Sequence, residues 1–278
     1  MDKDIRKSVI AGTWYPGSPI GLRAEIEGYF HNVPDAKIDG RITGLVVPHA
    51  GYKYSGQVAA YAYKTIKGET FDSVIVVGPS HRTFFHGVSI YDRGGYETPF
   101  GVIPVDVSLA KDIMTQSEMI FPMPAAHYQE HSLEIQLPFL QVSLGKFYFV
   151  PLVMAEQDHQ SCKKLAESIF RALGNRKILI VGSSDLSHFH SYEKAVKLDS
   201  IVLKHIEKMD EKSLSEDLEK NVCEACGGGP AVVTMMVSKQ IGADRAKLLK
   251  YANSGDVTGD RRSVVGYVSA AFYKDRAA

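Results

Sequence analysis

The sequence predicts one α/β domain over residues 1–278, with a mixed central β-sheet and helices on both faces. Three observations predict it. Strand-like and helix-like patterns alternate from Ile42 to Tyr273 with no low-complexity linker between them, which is the signature of α/β architecture. Three apolar, β-prone runs, Ile42 to Val47, Ser73 to Val77 and Lys177 to Val181, each end in a Gly/Pro/Ser turn carrying a histidine or aspartate. Two short runs, GVSIY and GVIPVD, flank the polar turn DRGGYETPF; such close neighbours predict a hairpin, and so a mixed sheet.

Taken in order, AGTWYPGSP (Ala11 to Pro19) reads as a turn into a helix over Ile20 to His31, with Ser18 as cap and Pro19 at the first position. After the first core strand and VVPHAGYKYSG, Ser55 is expected to cap a helix whose Val58, Tyr61, Ala62, Thr65 and Ile66 keep helical spacing. The second core strand runs into PSHRTFFHG, a loop holding His81 and His86. A helix over Ser108 to Gln116 follows, then a partly helical Leu133 to Leu140 that Pro138 should end or kink. FYFVPLVM is a strand and HQSCKKLAESIFRAL an amphipathic helix. The third core strand leads through SSDLSHFH to a long helix, Tyr192 to Met209, in which His205 shares the apolar stripe. A short polar helix over Ser213 to Asn221, a helix over Ala231 to Gln240, and strands at Leu248 to Tyr251 and Val264 to Tyr273 complete the chain. A hinge near Pro122 to Pro124 would contradict the single-domain reading.

Composition bounds the partners. A net charge of 0 gives no support for a nucleic-acid or membrane partner, although net charge does not report how charge is distributed. The start, MDKDIRK, lacks the apolar stretch of a signal peptide, and no apolar run approaches the roughly 18 residues of a membrane span. Three cysteines, Cys162, Cys223 and Cys226, are too few for a disulfide framework. The expected location is therefore cytoplasmic. Neither GKS/T nor GxGxxG occurs, so no nucleotide cofactor is expected.

The chemistry-bearing residues sit where strands end. In open α/β sheets, ligands bind beyond the carboxyl ends of the strands. His49 and His81 occupy equivalent strand ends, roughly thirty residues apart, the length of one crossover. Neutral imidazoles so placed can hold Zn, Fe, Cu or Ni; the plainer reading is that each satisfies loop backbone. Asp185 and His188, three apart in one loop, can form a general base with its orienter or supply ligands; an N-cap beside a surface histidine is the alternative. QEHSLEI offers Glu130, His131 and Glu134, the last two on one helical face. CEAC is a lone CxxC, which excludes a four-cysteine zinc site. Cys226 precedes GGGP and a helix, where terminal amides are expected to favour its thiolate. Cys162 aligns with Leu165, Ala166 and Ile169 and is expected to be core. Trp14, Tyr52 and Tyr54 lie near the His49 rim as ligand or peptide contacts, with Glu130 beside them.

AGTWYPG, VPHAGYKYSG, VGPSHR, EHSLEIQLPFL, SSDLSH, ACGGGP and YANSGD together resemble the MEMO family, in family order and across nearly the whole chain. The resemblance implies a three-layer sandwich like that of the class III extradiol dioxygenases, which cleave catechol rings at non-haem iron. It places a metal at His49, His81 and Cys226. Asp185 and His188 match the pocket's other polar pair, and His131 lines it. Asp185, His188 and His131 are thus the candidate catalytic residues. A thiolate would stand where the dioxygenases have a carboxylate, which favours a softer metal and supports metal binding more strongly than ring cleavage. The implied cofactor is a divalent or redox metal, Fe or Cu ahead of Zn. Family members are described as copper- or iron-binding redox proteins and as docking proteins for phosphotyrosine peptides; prokaryotic members look associated with radical SAM and AMMECR-type proteins. A Cys223–Cys226 disulfide would disable the thiol ligand.

Three functions stand side by side: a dioxygenase-like metal-dependent oxidoreductase on a small substrate, a non-enzymatic metal-binding or peptide-docking module, and a zinc hydrolase with Asp185 or Glu130 as base. Metal content and turnover after anaerobic purification separate them.

Overall fold

The computed structural model describes residues 4–34 and 37–276. The chain opens with β1 (Ile5–Arg6) and α1 (Pro19–His31), whose Ser18 side chain accepts from Gly21 N, with Pro19 in the first turn as expected. β2 (Gly40–Val47) is buried from Ile42 onward and runs through His49 into α2 (Tyr52–Thr65). That helix starts earlier than its capping signal suggests. Gly51 is the cap, and Ser55 lies inside the first turn, donating to Ala50 O.

β3 (Ser73–Pro79) is buried throughout, and β4 (Val88–Ile90), β5 (Gly95–Thr98) and β6 (Gly101–Pro104) follow. The expected hairpin is displaced by one strand. β5 and β6 form it, and they join β1 in a separate three-stranded sheet. β4 instead enters the main sheet, antiparallel to a later strand. Asp106 caps α3 (Val107–Met114), and β7 (Ile120–Pro122) pairs with β4. Three short helices come next: α4 (Ala125–Tyr128), α5 (His131–Glu134) and α6 (Leu137–Leu144). Pro138 begins α6 rather than ending a helix; in the first turn its missing N–H costs nothing.

β8 (Phe149–Met154) and α7 (His159–Leu173) follow, the helix capped by Asp158. The rest comprises β9 (Ile178–Ser183), β10 (His188–His190), α8 (Tyr192–Lys208), α9 (Glu211–Glu219), α10 (Gly228–Gln240), β11 (Arg245–Asn253), α11 (Ser254–Thr258) and β12 (Val264–Asp275).

The main sheet has the order β10-β12-β2-β9-β3-β8-β4-β7, with β11 also paired to β12. Its centre, β2-β9-β3-β8, is parallel, and antiparallel pairs flank it on both sides. This is the mixed α/β sheet that the sequence predicts. β9 lies between β2 and β3, so the turns carrying His49, Asp185 and His81 emerge side by side. Register fixes that alignment: Val47 is opposite Ser183, and Val77 is opposite Gly182. Helix α10 packs against β2, β3 and β9. Its close approach requires glycine in the sheet, since a Cβ at Gly182 would stand 2.5 Å from Thr234 Oγ1 and 2.8 Å from Pro230 O. The same contact fixes the start of α10, just beyond Cys226.

Candidate metal centre

The site forms where three parallel strands end and α10 begins. Beyond β2, the backbone N–H of His49 donates to Asp185 Oδ1 at 2.7 Å, and Ser184 N donates to Val47 O at 2.9 Å. These bonds tie the β2 and β9 turns together. Cys226 N reaches Asp185 O at 3.2 Å, and Gly227 N reaches Ser184 Oγ at 3.1 Å. Gly227 is needed there, since a Cβ would lie 2.1 Å from Ser183 O. Gln157 completes the clamp: its Nε2 donates to Cys226 O at 3.0 Å and its Oε1 accepts from Gly229 N at 2.8 Å.

Hydrogen-bond accounting assigns the histidine tautomers. Ser183 Oγ has one proton, and it goes to Ser132 O at 2.6 Å. Gln136 Nε2 donates into the same oxygen at 2.8 Å, so His49 Nδ1, 3.0 Å away, must donate as well. His49 Nε2 is left with its lone pair, 3.0 Å from Cys226 Sγ. Glu130 does the same for His81, its Oε1 accepting from Nδ1 at 2.9 Å and its Oε2 from His81 N at 2.7 Å. Both imidazoles therefore present Nε2 to the pocket, with Nδ1 anchored behind, as metal-binding histidines do. The ligand atoms of His49, His81 and Cys226 lie within 4.8 Å of one another. Two imidazoles and a thiol at that spacing suit a transition metal, whereas Ca²⁺ or Mg²⁺ would need oxygen donors.

Burial keeps the His49 and His131 imidazoles neutral. Burial, reinforced by His81, lowers His49 to about 3; burial, reinforced by His49, lowers His131 to about 3. Burial alone would raise the Glu130 carboxyl, but the His81 and Ser132 donors outweigh it and hold it at about 2. Glu130 is thus a buried anion that orients His81. Three protein donors, His81 Nδ1, His81 N and Ser132 N, hold its carboxylate. Asp185 is pushed up to about 6 by burial, against the N–H groups of His49 and Ala50. The expected thiolate at Cys226 is corrected here. Burial, with Asp185 nearby, pushes the thiol well above its ordinary value, and the amides at Gly227 and Cys226 do not compensate. A metal held here would have to displace that proton. Cys162, Cys223 and Cys226 are all free thiols, and Cys162 is packed in α7 as expected.

A cavity of about 490 Å³ opens beside these groups, lined by Trp14, Tyr54, Lys53, Asp185, His188 and Tyr267 among others. His188 Nδ1 donates to Leu186 O at 2.8 Å, leaving Nε2 free. His131 is sandwiched, its ring centroid 4.5 Å from Trp14 and 4.6 Å from His81. Tyr52 is not brought to this rim. It is 2% exposed, donates to Ile135 O at 2.9 Å, and packs on Phe139; as the first residue of α2 it points into the core. His86 pairs with Glu156, and His205 with Asp217 at 2.8 Å as a boundary residue. Ser183, Gln136, Gln157 and Tyr267 have no role in the sequence reading. Ser183 and Gln136 do fall inside SSDLSH and EHSLEIQLPFL, but only the three-dimensional bonds reveal what they hold.

A family model for Memo-like proteins matches residues 6–271. The chain belongs to the Memo-like family. It is 37% identical to a MEMO1 family protein of Sulfolobus acidocaldarius, over 96% of this chain and 99% of that one. It is 38% identical to one from Methanobrevibacter smithii, with 96% and 99% covered, and 38% identical to one from Methanocaldococcus jannaschii, with 96% and 98% covered. The crystal structure of an uncharacterized Escherichia coli K12 protein superposes with a TM-score of 0.59 at 12% identity, covering 83% of this chain and 99% of that one; it supports the fold alone. Among the described residues, no helix is long and apolar enough to cross a membrane.

Proposed function

We propose that this Memo-like protein is a metal-dependent oxidoreductase of the dioxygenase-like type, acting on a small substrate held in the cavity beside the metal. The observation that carries this reading is the convergence of His49, His81 and Cys226 within 4.8 Å, with both histidine tautomers set for ligation. Iron or copper at this site would supply electron exchange and Lewis acidity. The chain's own residues bind and move protons. Trp14, Tyr54 and Tyr267 would flank an apolar or aromatic substrate. Asp185 and His188 face the same cavity, and His188 Nε2 is placed to take or return a proton while Leu186 O holds Nδ1–H. His131, stacked on His81 and packed against Trp14, helps close the space against water.

One observation favours a second reading. Tyr54 is 39% exposed at the mouth of the cavity beside Lys53, a combination that also suits docking of a peptide side chain. A zinc hydrolase is less well supported, because Glu130 is committed to His81 and the base would have to be Asp185. Cytoplasmic location, and the radical SAM and AMMECR-type partners that the family resemblance implies, belong to the same proposal. The test is metal analysis after anaerobic purification, followed by oxygen uptake with catechol-type compounds. Bound iron or copper with oxygen consumption supports the oxidoreductase. Tight zinc with ester or amide hydrolysis supports the third reading, and neither metal nor turnover supports docking.

A further inference from the structure

The opposite end of the sheet carries a second cavity, of about 970 Å³, twice the volume of the one beside the metal centre. It lies where β2, β3 and β9 begin and β12 ends, bounded by the last turn of α2. Its lining holds seven lysines and arginines against two acids, Asp39 and Glu69, in a chain whose net charge is 0.

Part of that charge has a structural role. Lys64 Nζ donates to Phe30 O and Val33 O, at the carbonyl end of α1. Arg41 donates to Ile241 O at the end of α10, and Lys177 lies 3.6 Å from Glu69. The first two contacts offset helix C-terminal dipoles, the third is a surface ion pair, and none needs a ligand. Of the four cations that remain, Lys67 has its Nζ 5.5 Å from the centre of the Phe30 ring. Lys67, Lys247 and Arg276 come from three separate segments, line the cavity, and stand in no ion pair among the described residues. Cations gathered in a concave space bounded by low-dielectric walls focus a positive potential. Ile42, Leu249, Tyr61 and Phe71 supply an apolar wall beside them.

We propose that this cleft binds a small phosphorylated anion, its phosphates among Lys67, Lys247 and Arg276 and any apolar body against the Tyr61–Phe71 wall. The volume falls within the range of small-molecule sites. A concave cleft whose lining also holds Asp39 and Glu69 fits a compact anion better than the continuous outer stripe that tracks a nucleic-acid backbone. Neither a P-loop nor a dinucleotide fingerprint is involved, so lysine and arginine side chains provide the recognition.

The experiment is calorimetric titration of the EDTA-treated full chain with pyrophosphate and with ATP, at two salt concentrations. The expected result is saturable one-to-one binding that weakens with salt. ATP tighter than pyrophosphate would mean that the apolar wall takes part; equal affinities would mean that the phosphates alone are read. Lys247→Glu and Lys67→Glu should each weaken binding about tenfold or more at unchanged melting temperature. Lys163→Glu on α7 and His49→Ala at the metal centre should leave it within about twofold. Absence of saturable binding to either probe, wild-type affinity in both cleft variants, or oligonucleotides displacing both probes at lower concentration would overturn the proposal. Because the protein is metal-free and His49→Ala is included, the result stands apart from the fate of the oxidoreductase reading.

Discussion

His49 Nε2 and Cys226 Sγ lie 3.0 Å apart across 177 residues of chain. Ser183 holds the proton on His49 Nδ1, so the contact is a thiol S–H donating to an imidazole lone pair. Two potential ligands thus share one proton. A metal held there would replace that proton, which would couple affinity to pH and release the proton to solvent.

If the candidate site holds a metal, that arrangement makes Cys226 its cysteine ligand. Cys226→Ser is expected to weaken copper(I) or zinc binding at least about tenfold, about 1.4 kcal/mol. Cys162→Ser should leave binding intact, because Cys162 is buried in α7 with its Sγ near Gln157 O and Gly229 O. Its cost should appear only in melting temperature. Titration of the single variants at Cys162, Cys223 and Cys226 under reducing conditions checks this, and equal affinities would remove Cys226 from the site.

Glu130 acts through His81. Its carboxylate accepts from His81 Nδ1, His81 N and Ser132 N while fully buried. Glu130→Gln keeps the shape but removes the charge that makes His81 a better donor. Metal affinity is expected to fall about 10- to 100-fold, the usual effect of losing such a partner. The far-ultraviolet spectrum should remain that of the wild type. Undiminished affinity would mean that His81 needs no anion behind it.

The strand ends were legible because they rest on local chemistry: β-prone runs followed by PHAG, PSH and SSD turns. Neighbourhood was less so. That β9 lies between β2 and β3 follows from sheet topology, which no local pattern encodes. The misplaced hairpin has the same origin: β4 has the composition of a hairpin arm but finds its partners in β7 and β8. Tyr52, two positions before Tyr54, looks equally exposed in sequence; the early start of α2 turns it inward. The thiolate at Cys226 failed on burial, which motif spacing does not report. The anchoring roles of Ser183 and Gln136 depend on bonds spanning 47 to 134 residues.

His127 should give the fold a pH dependence separate from the metal centre. It is fully buried, accepts at Nδ1 from Tyr96 Oη at 2.6 Å, and donates from Nε2 to Ser89 Oγ at 2.9 Å. Burial, with Arg6 adding to it, lowers its pKa to about 3, against about 6.5 in an unfolded chain. Between those values the unfolded state binds the extra proton, so stability is lost as pH falls through 6.5 toward 3. The slope from this residue is at most about 1.4 kcal/mol per pH unit. Chemical denaturation between pH 7 and pH 5 should show the decline, and His127→Gln should make it shallower. An unchanged slope would assign the effect to His49 and His131 alone.

The last prediction concerns how the amino-terminal segment is held against the site. Arg6 and Glu134 form an ion pair with both side chains fully buried. Glu134 also accepts from Ser8 Oγ at 2.5 Å, Tyr15 Oη at 2.7 Å and Val9 N at 3.0 Å, while Arg6 donates to His127 O at 3.0 Å and Glu130 O at 2.6 Å. One carboxylate on α5 therefore gathers residues 6 to 15, and Trp14 in that segment packs, tilted, against His131, also on α5. Glu134→Ala would leave a buried guanidinium and backbone donors without an acceptor, and is expected to cost about 3–5 kcal/mol. Because Trp14 is the only tryptophan, its emission should shift to the red as its contact with His131 loosens. Removing both charges, as Arg6→Met with Glu134→Leu, should recover much of the stability, since no unpaired ion remains. It should not restore the emission, because Ser8, Val9 and Tyr15 still lack their acceptor. Thermal melts and fluorescence of the three variants check the argument; a Glu134→Ala protein with wild-type melting and emission would show that the segment is held by packing alone.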